Sequence, residues 1–241
     1  MSPKKSKPPP SVKSSDAPSK KTTFMGRDGL LPYTQDPQSF PSSRVVYYNE
    51  KFVVINDLYP KATVHLLILP RDPKKNRLRG QEAFDDTVFL DDCKVEVQHV
   101  RAMVAEELRR KLGPFSAAER PRIEAMDSDN PPSTLPPGRD WDREIIVGTH
   151  ANPSMSHLHI HVLSRDMHSD CMRNKNHYLS FTTDFLIPIE AYPLAKDDFR
   201  RNYKHFTSPD MQCWRCDRRF GNRSALLKEH LEEEFNSWKR E

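Results

Sequence analysis

The sequence has no apolar run near the roughly 20 residues that a membrane-spanning helix needs. Its first 21 residues, MSPKKSKPPPSVKSSDAPSKK, also have no apolar core of the kind found in signal peptides. Together these absences predict a soluble, intracellular protein without a membrane partner. Cysteine is scarce, with four in 241 residues. A disulfide framework is therefore not expected, and a Cys-x-x-Cys pair is interpreted first as a metal or redox site.

Charge of one sign is not in large excess, since the net charge is +4, but the basic residues are concentrated near the two ends. Residues 1–21 contain six lysines and one aspartate, and residues 199–228 contain eight Lys or Arg and two aspartates. Such ends are either solvated termini or contacts for a polyanion such as nucleic acid. Residues 1–23 have almost nothing to bury and are predicted to be a disordered basic tail. Their PKKSK run is typical of nuclear import signals and of DNA-binding arms, so we expect a nuclear protein.

Residues 24–193 predict one α+β domain. Residues 84–112 have apolar residues at helical spacing, which predicts one long helix or two shorter ones. The apolar positions are Val88, Val95, Val100, Val104 and Leu108. Residues 113–142 contain six prolines and predict a mobile surface insertion without a catalytic role. Short β-branched and aromatic runs predict a central antiparallel sheet of about five strands: RVVYYNE, FVVIND, TVHLLILP, REIIVGTH and SHLHIHVLS.

The run HLHIHVL places three histidines at alternate positions of a predicted strand. Side chains on a strand alternate between faces, so His157, His159 and His161 should share one face. Leu158, Ile160 and Val162 should be buried on the other. Three interpretations compete: structural histidines, a metal site and a nucleophile. No Asp or Glu lies within four residues upstream to complete a metal site.

Nucleophilic catalysis fits phosphoryl or nucleotidyl transfer, because neutral imidazole attacks phosphorus and forms a phosphoramidate that hydrolyses readily. Neighbouring imidazoles and amides can stabilise the developing negative charge. The Pro153-Ser154-Met155-Ser156 turn adds hydroxyls and backbone N–H groups for phosphate oxygens.

HLHIHVL resembles the motif of the histidine triad family of nucleotide hydrolases and transferases. The resemblance implies the α+β histidine triad fold and makes the middle histidine, His159, the nucleophile. It also implies that Asp57 holds the ribose hydroxyls and that His65 supports the triad.

Three longer segments between residues 55 and 181 resemble the aprataxin family, which removes adenylate from DNA 5′ ends left by abortive ligation. They are INDLYPKATVHLLILP, VGTHANPSMSHLHIHVLSRD and CMRNKNHYLSF. The resemblance implies that the phosphates are surrounded by Lys61, His150, Ser156 and His161, with His168 and Lys175 as further phosphate contacts. It also implies an N-terminal wedge helix near residues 23–33. The expected aromatic is replaced there by Gly26, and Phe24 or Leu31 could substitute for it.

Residues 194–241 predict a second, small module with a metal site. Cys213 and Cys216 are followed by His230 and, one helical turn later, by Glu234, which is a tetrahedral donor set for zinc. Glu233 would point about 100° away around the helix. A redox role for CWRC is less favoured, because no thioredoxin-like βαβ pattern surrounds it. Phe220 and Leu226 are predicted to form the small apolar core.

The resemblance to aprataxins supports the same conclusion, since these proteins end in a zinc finger whose fourth ligand is Glu in some fungal members. We therefore predict a ββα-like finger with one structural zinc ion. Four arginines are expected to contact the DNA backbone: Arg215, Arg218, Arg219 and Arg223.

The predicted function is hydrolysis of DNA 5′-adenylate through a covalent His159–AMP intermediate, with AMP as product and without a catalytic metal. The catalytic group would comprise His159 together with His157, His161, His150 and Lys61. The expected partner is DNA with nicked or double-strand ends, RNA–DNA junctions are a second class, and the protein is expected to be a monomer. Two alternatives remain: a triad hydrolase of small nucleotides, such as dinucleoside polyphosphates or AMP-lysine, and a non-catalytic zinc-finger scaffold that binds nucleic acid.

Overall fold

The structure is a computed structural model that describes residues 26–203 and 209–241. The predicted tail, residues 1–23, and the candidate wedge residue Phe24 lie outside the described residues. The predicted α+β class is confirmed. No helix within the described ranges is both long enough and apolar enough to cross a membrane.

An antiparallel sheet of six strands, in the order β1-β2-β3-β5-β4-β6, forms the centre of the fold. The strands are β1 (Val45–Tyr48), β2 (Phe52–Asn56), β3 (His65–Pro70), β4 (Ile145–His150), β5 (Ile160–Ser164) and β6 (Leu186–Pro188). The estimate of about five strands missed β6, which pairs with β4 through Thr149 and Ile187. Three residues are too few to show the alternation that identifies a strand in sequence.

Six α-helices accompany the sheet in the described residues: α1 (Leu31–Gln35), α2 (Gly80–Ala83), α3 (Thr87–Leu112), α4 (Arg120–Met126), α5 (Lys175–Thr182) and α6 (Ser224–Trp238). Helix α3 is one long helix and covers one face of the sheet. Its Val97, Val100, Val104 and Leu108 are fully buried, and they recur at three- and four-residue spacing as an amphipathic helix requires.

Val88 and Val95, two of the apolar positions that indicated this helix, lie on its solvent face, since they are 74% and 73% exposed. At 100° per residue, Val95 lies about 200° around the helix from Val97, which places it on the opposite side. The seven-residue spacing of the two valines puts them on the same side of the helix, and that side faces solvent.

The alternation predicted for the histidine segment is confirmed within β5, which begins at Ile160, whereas His157 and His159 precede the strand. Leu158, Ile160 and Val162 pack in the core beneath α3, whereas His161 pairs with Leu67 on the opposite face. Leu67 belongs to a second apolar cluster that includes Leu30 from the segment before α1. His161 therefore lies on the sheet face that α3 leaves free.

The proline-rich segment 113–142 is not confined to the surface. It contains α4, and its Glu119, Arg139 and Trp141 are 1%, 7% and 1% exposed. The expectation of a surface insertion is wrong for these residues, because they pack against the end of α6 and the start of β4. Such long-range packing leaves no periodic signal in a proline-rich sequence.

The C-terminal module consists of β7 (Met211–Gln212), β8 (Arg219–Gly221) and α6, which is the predicted ββα arrangement. Phe220 is buried as predicted. Leu226 is not, since it is 43% exposed. Leu227 and Leu231 fill the apolar core instead. They come one and five positions after Leu226 and lie on the side of the helix that faces the hairpin.

Candidate active site and zinc centre

Four histidines meet on the face of the sheet that α3 leaves free, on its interior strands. His65 is the first residue of β3, and His150 is the last residue of β4. His161 is the second residue of β5, and His159 comes directly before that strand. The ring of His161 is central: its centroid lies 4.4 Å from that of His150, 4.8 Å from His159 and 5.2 Å from His65. The antiparallel register of three neighbouring strands thus brings together residues that are up to 96 positions apart.

A chain of hydrogen bonds fixes the tautomer of His161. The backbone N–H of Lys61 donates to Nδ1 of His65 at 3.1 Å, so the proton of the neutral His65 ring is on Nε2. That nitrogen lies 2.9 Å from Nδ1 of His161 and donates to it. His161 therefore carries its own proton on Nε2, a buried atom without a partner among the described residues. This tautomer equips His161 to donate to a phosphate oxygen and disfavours it as a metal ligand.

The tautomer of His159 is the opposite one. Its Nδ1 lies 2.7 Å from the carbonyl oxygen of His157. Because a carbonyl only accepts, Nδ1 carries the proton and Nε2 keeps its lone pair. Burial lowers the pKa of His159 below its ordinary value, which keeps the ring neutral at physiological pH. His159 thus presents an unprotonated imidazole nitrogen, the form that attacks phosphorus.

The surrounding imidazoles are also held neutral. Burial, assisted by His159, lowers the pKa of His150 to about 3, and burial lowers the pKa of His161 well below its ordinary value. Burial lowers the pKa of His65 to about 4, although Asp57, with Oδ2 3.5 Å from Nε2 of His65, acts in the opposite direction. The imidazoles of the free site therefore carry no positive charge of their own.

Asp57 and Lys61 border the site on the loop between β2 and β3. Asp57 Oδ1 accepts the backbone N–H of Tyr59 at 2.8 Å, while the Lys61 ammonium contacts the carbonyl oxygen of Tyr59. Burial lowers the pKa of Lys61, and Asp57 partly offsets this effect. Buried Asp166 holds this loop in place, because its Oδ2 accepts a hydrogen bond from the Thr63 hydroxyl at 2.8 Å.

Two cavities meet at His159. The larger, of about 550 Å³, is bounded by residues that include Asp57, Tyr59, Lys61, His161 and Phe181. The smaller, of about 230 Å³, is bounded by residues that include Arg27, Arg77, Arg79, Ser156 and His157. His150 and His159 line both. The three histidines of the triad segment are therefore divided: His161 faces the larger cavity, His157 the smaller, and His159 the junction.

His157 is buried, and neither of its ring nitrogens has a partner in the described part of the chain. Its backbone carbonyl orients His159, as described above. Ser156 lies at the smaller cavity, and its backbone N–H donates to the carbonyl oxygen of Arg27 at 2.8 Å. The candidate wedge residue Leu31 lies at the start of α1 and borders neither of these two cavities.

His168 and Lys175 are not brought to the histidine cluster. The ring of His168 stacks on Phe235 of α6 at a centroid distance of 4.1 Å, and its Nε2 lies 2.6 Å from Glu232 Oε2. Lys175 contacts the side chain of Asn222. Both residues face the C-terminal module rather than the cavities.

Several residues that border the cavities were not selected from the sequence. Arg77 and Arg79 lie in the basic run KKNRLRG after β3, and a charge count of that run could have identified them. His177 and Phe181 belong to the quoted segment CMRNKNHYLSF and line the larger cavity from α5. Without the fold, nothing distinguishes them from residues of α5 that face elsewhere.

The second cluster of metal-ligating side chains lies in the C-terminal module. One ligand atom each from Cys213, Cys216, His230 and Glu234 lies within 4.8 Å of the others. Glu234 Oε1 is 3.2 Å from His230 Nε2, whereas Glu233 is 73% exposed and approaches the other ring nitrogen at 3.8 Å. Two thiols, an imidazole and a carboxylate converging on one point fit a structural zinc ion.

The four arginines of this module have different surroundings. Arg215 forms ion pairs with Glu234, at 2.5 Å, and with Glu241. It therefore supports a ligand of the zinc site from the side. Arg218, Arg219 and Arg223 line a shallow surface cavity next to His230, where they are available to an external anion.

Comparisons with known proteins agree with this geometry. Residues 40–168 match the HIT domain family, and residues 182–237 match the C2HE / C2H2 / C2HC zinc-binding finger family. An aprataxin-like protein of Saccharomyces cerevisiae is 33% identical over 88% of this chain and 96% of its own length. An aprataxin-like protein of Schizosaccharomyces pombe is 30% identical over 92% of this chain and 87% of its own length.

A solved structure of Hnt3 in complex with DNA and guanosine superposes with a TM-score of 0.68 at 29% identity, covering 88% of this chain and 96% of that one. The resemblance seen in the sequence motifs is thus confirmed over most of the chain. The triad histidines, the sheet that carries them and the two-cysteine, histidine and glutamate finger identify the chain as a member of the aprataxin-like branch of the HIT domain family.

Proposed function

We propose that this protein removes AMP from 5′-adenylated DNA ends by way of a covalent His159–AMP intermediate. The observation that carries the proposal is the position of the His159 Nε2 lone pair, which is held by the His157 carbonyl at the junction of two cavities. A nucleophile at such a junction can bind one half of a phosphoanhydride on each side.

In the first step, Nε2 of His159 attacks the adenylate phosphorus. The bond from this phosphorus to the bridging oxygen breaks, and the electron pair leaves with the DNA 5′-phosphate. The His159 ring then carries a positive charge, which the His157 carbonyl stabilises through the Nδ1–H bond. In the second step, water attacks the same phosphorus and releases a proton to solvent, the electron pair of the P–N bond returns to Nε2 of His159, and AMP departs from the regenerated neutral imidazole.

The other residues bind the substrate and stabilise charge. His161 Nε2–H is aimed into the site by the bond from His65 and would donate to a nonbridging oxygen as charge develops. His150, neutral in the free site, would gain a proton and become a second donor when the anionic phosphate enters. Lys61 would contribute its ammonium from the rim.

The two cavities differ in chemistry in a way that suits the two halves of the substrate. The larger one combines the Asp57 carboxylate, an acceptor for ribose hydroxyls, with aromatic walls from Tyr59 and Phe181. The smaller one carries arginines and suits the phosphate of the DNA side. We therefore assign AMP to the larger cavity and the DNA 5′-phosphate to the smaller.

DNA as the substrate is supported by the finger and by the Hnt3 structure, which contains DNA. Exposed arginines next to His230 would contact the phosphate backbone and position the protein without reading sequence. We further propose that the protein acts as a monomer in the nucleus, on nicks and double-strand ends and also on RNA–DNA junctions.

The decisive experiment measures AMP release from 5′-adenylated nicked DNA, beside a dinucleoside polyphosphate at matched enzyme concentration. His159→Ala should abolish release, and rapid quenching of the wild type should trap protein with one added AMP. His99→Ala is the matched control, because this exposed imidazole lies on α3, on the other side of the sheet. Substantial release by the His159→Ala protein would refute the proposal.

Small nucleotides are the second candidate substrate, because the larger cavity alone has room for a nucleotide. The two functions differ in salt dependence. Binding to DNA should weaken steeply with salt, with a logarithmic slope of about 0.9 per phosphate neutralised. Turnover of a dinucleoside polyphosphate should change little over the same range.

A further inference from the structure

The segment between α3 and β4 binds the end of the finger helix. We call residues 113–144 the docking segment. The backbone N–H groups of Ala117 and Ala118 donate to the carbonyl oxygens of Arg240 and Glu241 at 2.9 and 2.8 Å. Helix α6 ends at Trp238 with Lys239 as its C-cap, so these bonds hold the two residues that follow the C-cap.

A buried carboxylate organises the docking segment. Oε1 of Glu119 accepts Nε–H of Arg109 at 3.1 Å, the backbone N–H of Arg139 at 3.1 Å and Nε1–H of Trp141 at 2.7 Å. Arg109 belongs to α3. Glu119 therefore ties both ends of the proline-rich stretch to the helix that underlies the catalytic sheet.

Arg139 makes the direct connection to the finger. One of its terminal nitrogens donates to the carbonyl oxygen of Trp238 at 2.7 Å, and the other to Glu144 Oε1 at 2.9 Å. Its guanidinium carbon lies 4.5 Å from the ring centre of Trp141 and 4.9 Å from that of Trp238. Arginine can make planar stacking contacts and several hydrogen bonds at once, which suits it to this buried position.

Glu144 extends the connection to the active site. Its Oε2 accepts Nε1–H of Trp238 at 2.9 Å, and the next residue, Ile145, begins β4, the strand that ends in His150. The last turn of α6 is thus attached to the start of a strand whose other end borders His159.

The start of the finger is attached at a different place. The hydroxyl of Tyr178, on α5, donates to the carbonyl oxygen of Gln212 at 2.8 Å and accepts the backbone N–H of Trp214 at 2.9 Å. Helix α5 also carries His177 and Phe181, which line the larger cavity. The finger therefore has one attachment beside the cavity and a second, through the docking segment, at the far end of α6, and between them His168 contacts Phe235 and Glu232 of α6.

Zinc cannot replace the second attachment. All four of its candidate ligands lie within the finger, so the ion holds the finger together without fixing its direction relative to the catalytic sheet. Without the docking segment, the last turn of α6 would lose these contacts, and the contacts made by Tyr178 and His168 would hold the exposed arginines less firmly relative to His159.

We propose that the docking segment orients the zinc finger relative to the active site, with Glu119 and Arg139 as positioning residues for DNA ends. This inference rests on the proposed action on DNA. It assigns a role in nucleic-acid binding to a segment that contributes no residue to either cavity next to His159.

The test compares Arg139→Met with Arg143→Met in the full chain. Arg139→Met keeps an apolar stem between the two tryptophans but removes the bonds to Trp238 and Glu144. Arg143 is 85% exposed and pairs only with Asp140 among the described residues, so its variant is a matched control. The measurements are zinc content, affinity for unadenylated nicked DNA, steady-state kinetics on adenylated nicked DNA and on a dinucleoside polyphosphate, and hydrogen exchange across α6.

For Arg139→Met we expect unchanged zinc content, faster exchange in the last turn of α6 and about tenfold weaker DNA binding. The KM for adenylated DNA should rise as DNA binding weakens, while kcat/KM for the dinucleoside polyphosphate stays at the wild-type value. Arg143→Met should match the wild type throughout. DNA affinity that is unchanged despite faster exchange would overturn the proposal, and so would an equal loss on both substrates.

A second variant covers the case in which Arg139→Met does not fold. Trp238→Phe removes only the Nε1–H bond to Glu144 and preserves most of the ring packing, and the same outcomes apply to it. Affinity for unadenylated DNA and exchange in α6 do not depend on adenylate removal. If the wild type released no AMP from DNA, the proposed function would fail, and these two measurements would still decide the role of the docking segment.

Discussion

His65 donates a hydrogen bond from Nε2 to Nδ1 of His161 across 2.9 Å, and this single bond determines what His161 can do. His65 itself accepts the Lys61 backbone N–H at Nδ1. If the proton of His65 moved to Nδ1, that N–H and the backbone N–H of Lys61 would point at each other without an acceptor. The proton of His161 is therefore confined to Nε2, where a phosphate oxygen would bind. A residue that does not border either cavity next to His159 thus sets the protonation pattern of the site.

Replacing His65 with phenylalanine should lower kcat on adenylated nicked DNA by about 100-fold, the loss expected when one donor to a developing oxyanion is no longer held in place. KM should change little, because Asp57 and Lys61 remain. Steady-state kinetics give the split, and the nitrogen chemical shifts of His161 report its tautomer. A variant with wild-type kcat, or with His161 still protonated only on Nε2, would contradict the role of His65.

Stability should fall as the pH is lowered from about 6.5 toward about 4. In the unfolded chain the histidines take up protons near pH 6.5. In the folded protein, burial lowers the pKa of His65 to about 4 and that of His150 to about 3. The unfolded state therefore binds more protons in this window, so the free energy of unfolding decreases as the pH falls.

Thermal denaturation at pH 7, 6 and 5 checks this expectation, and Tm should decrease at each step. His150→Gln removes one of the titrating groups and should give a shallower decrease than the wild type. His99→Ala, which removes an exposed histidine, should leave the slope unchanged. Equal slopes for the wild type and the His150→Gln protein would show that His150 is not buried in its neutral form.

The parts of the site that follow from local geometry could be predicted from the sequence. Strand alternation placed His159 and His161 opposite Ile160, and the 100° step of a helix selected Glu234 over Glu233. Both conclusions depend on residues a few positions apart. Contacts between distant segments could not be obtained in this way. The pairing of His168 with Glu232 spans 64 residues, and the binding of Trp238 by Arg139 spans 99.

The buried side of each helix depends on distant contacts in the same way. Val88, Val95 and Leu226 are apolar and occupy helices, yet each lies on a solvent face. Which apolar side of a helix is buried depends on where the sheet or hairpin lies, and that information is not in the helix itself. The burial of Glu119 and Arg139 in the proline-rich segment could not be predicted either, because Glu119 binds residues 10 to 22 positions away and Arg139 binds the carbonyl of Trp238.

Glu234→Gln should weaken zinc binding by more than about tenfold, whereas Glu233→Gln should leave it unchanged. The first variant removes a carboxylate 3.2 Å from the imidazole ligand and also an ion pair with Arg215. The second changes a side chain that is 73% exposed. Supporting groups of metal ligands are typically worth 10- to 100-fold in affinity. Competition with a colorimetric chelator measures the difference, and equal affinities would remove Glu234 from the ligand set.

Zinc removal should affect DNA and small nucleotides, the two proposed substrates, differently. A structural zinc ion contributes folding free energy to its finger, so a chelator should loosen the β7-β8 hairpin from α6. Binding to nicked DNA should then decrease, while hydrolysis of a dinucleoside polyphosphate continues, because none of the four ligands lines the two cavities at His159. Loss of both activities at equal rates would indicate that the metal supports the catalytic domain directly.

Gly138 should be intolerant of substitution for two reasons. Its φ of +71° is unfavourable for other residues, and a Cβ there would lie 2.5 Å from Oε2 of buried Glu119. Gly138→Ala should therefore lower the free energy of unfolding by about 1–3 kcal/mol. Gly113→Ala is the control, because a Cβ at that position would meet its nearest side-chain atom at 3.6 Å. Urea denaturation measures both variants, and a Gly138→Ala protein as stable as the Gly113→Ala protein would contradict the tight packing of the docking segment around Glu119.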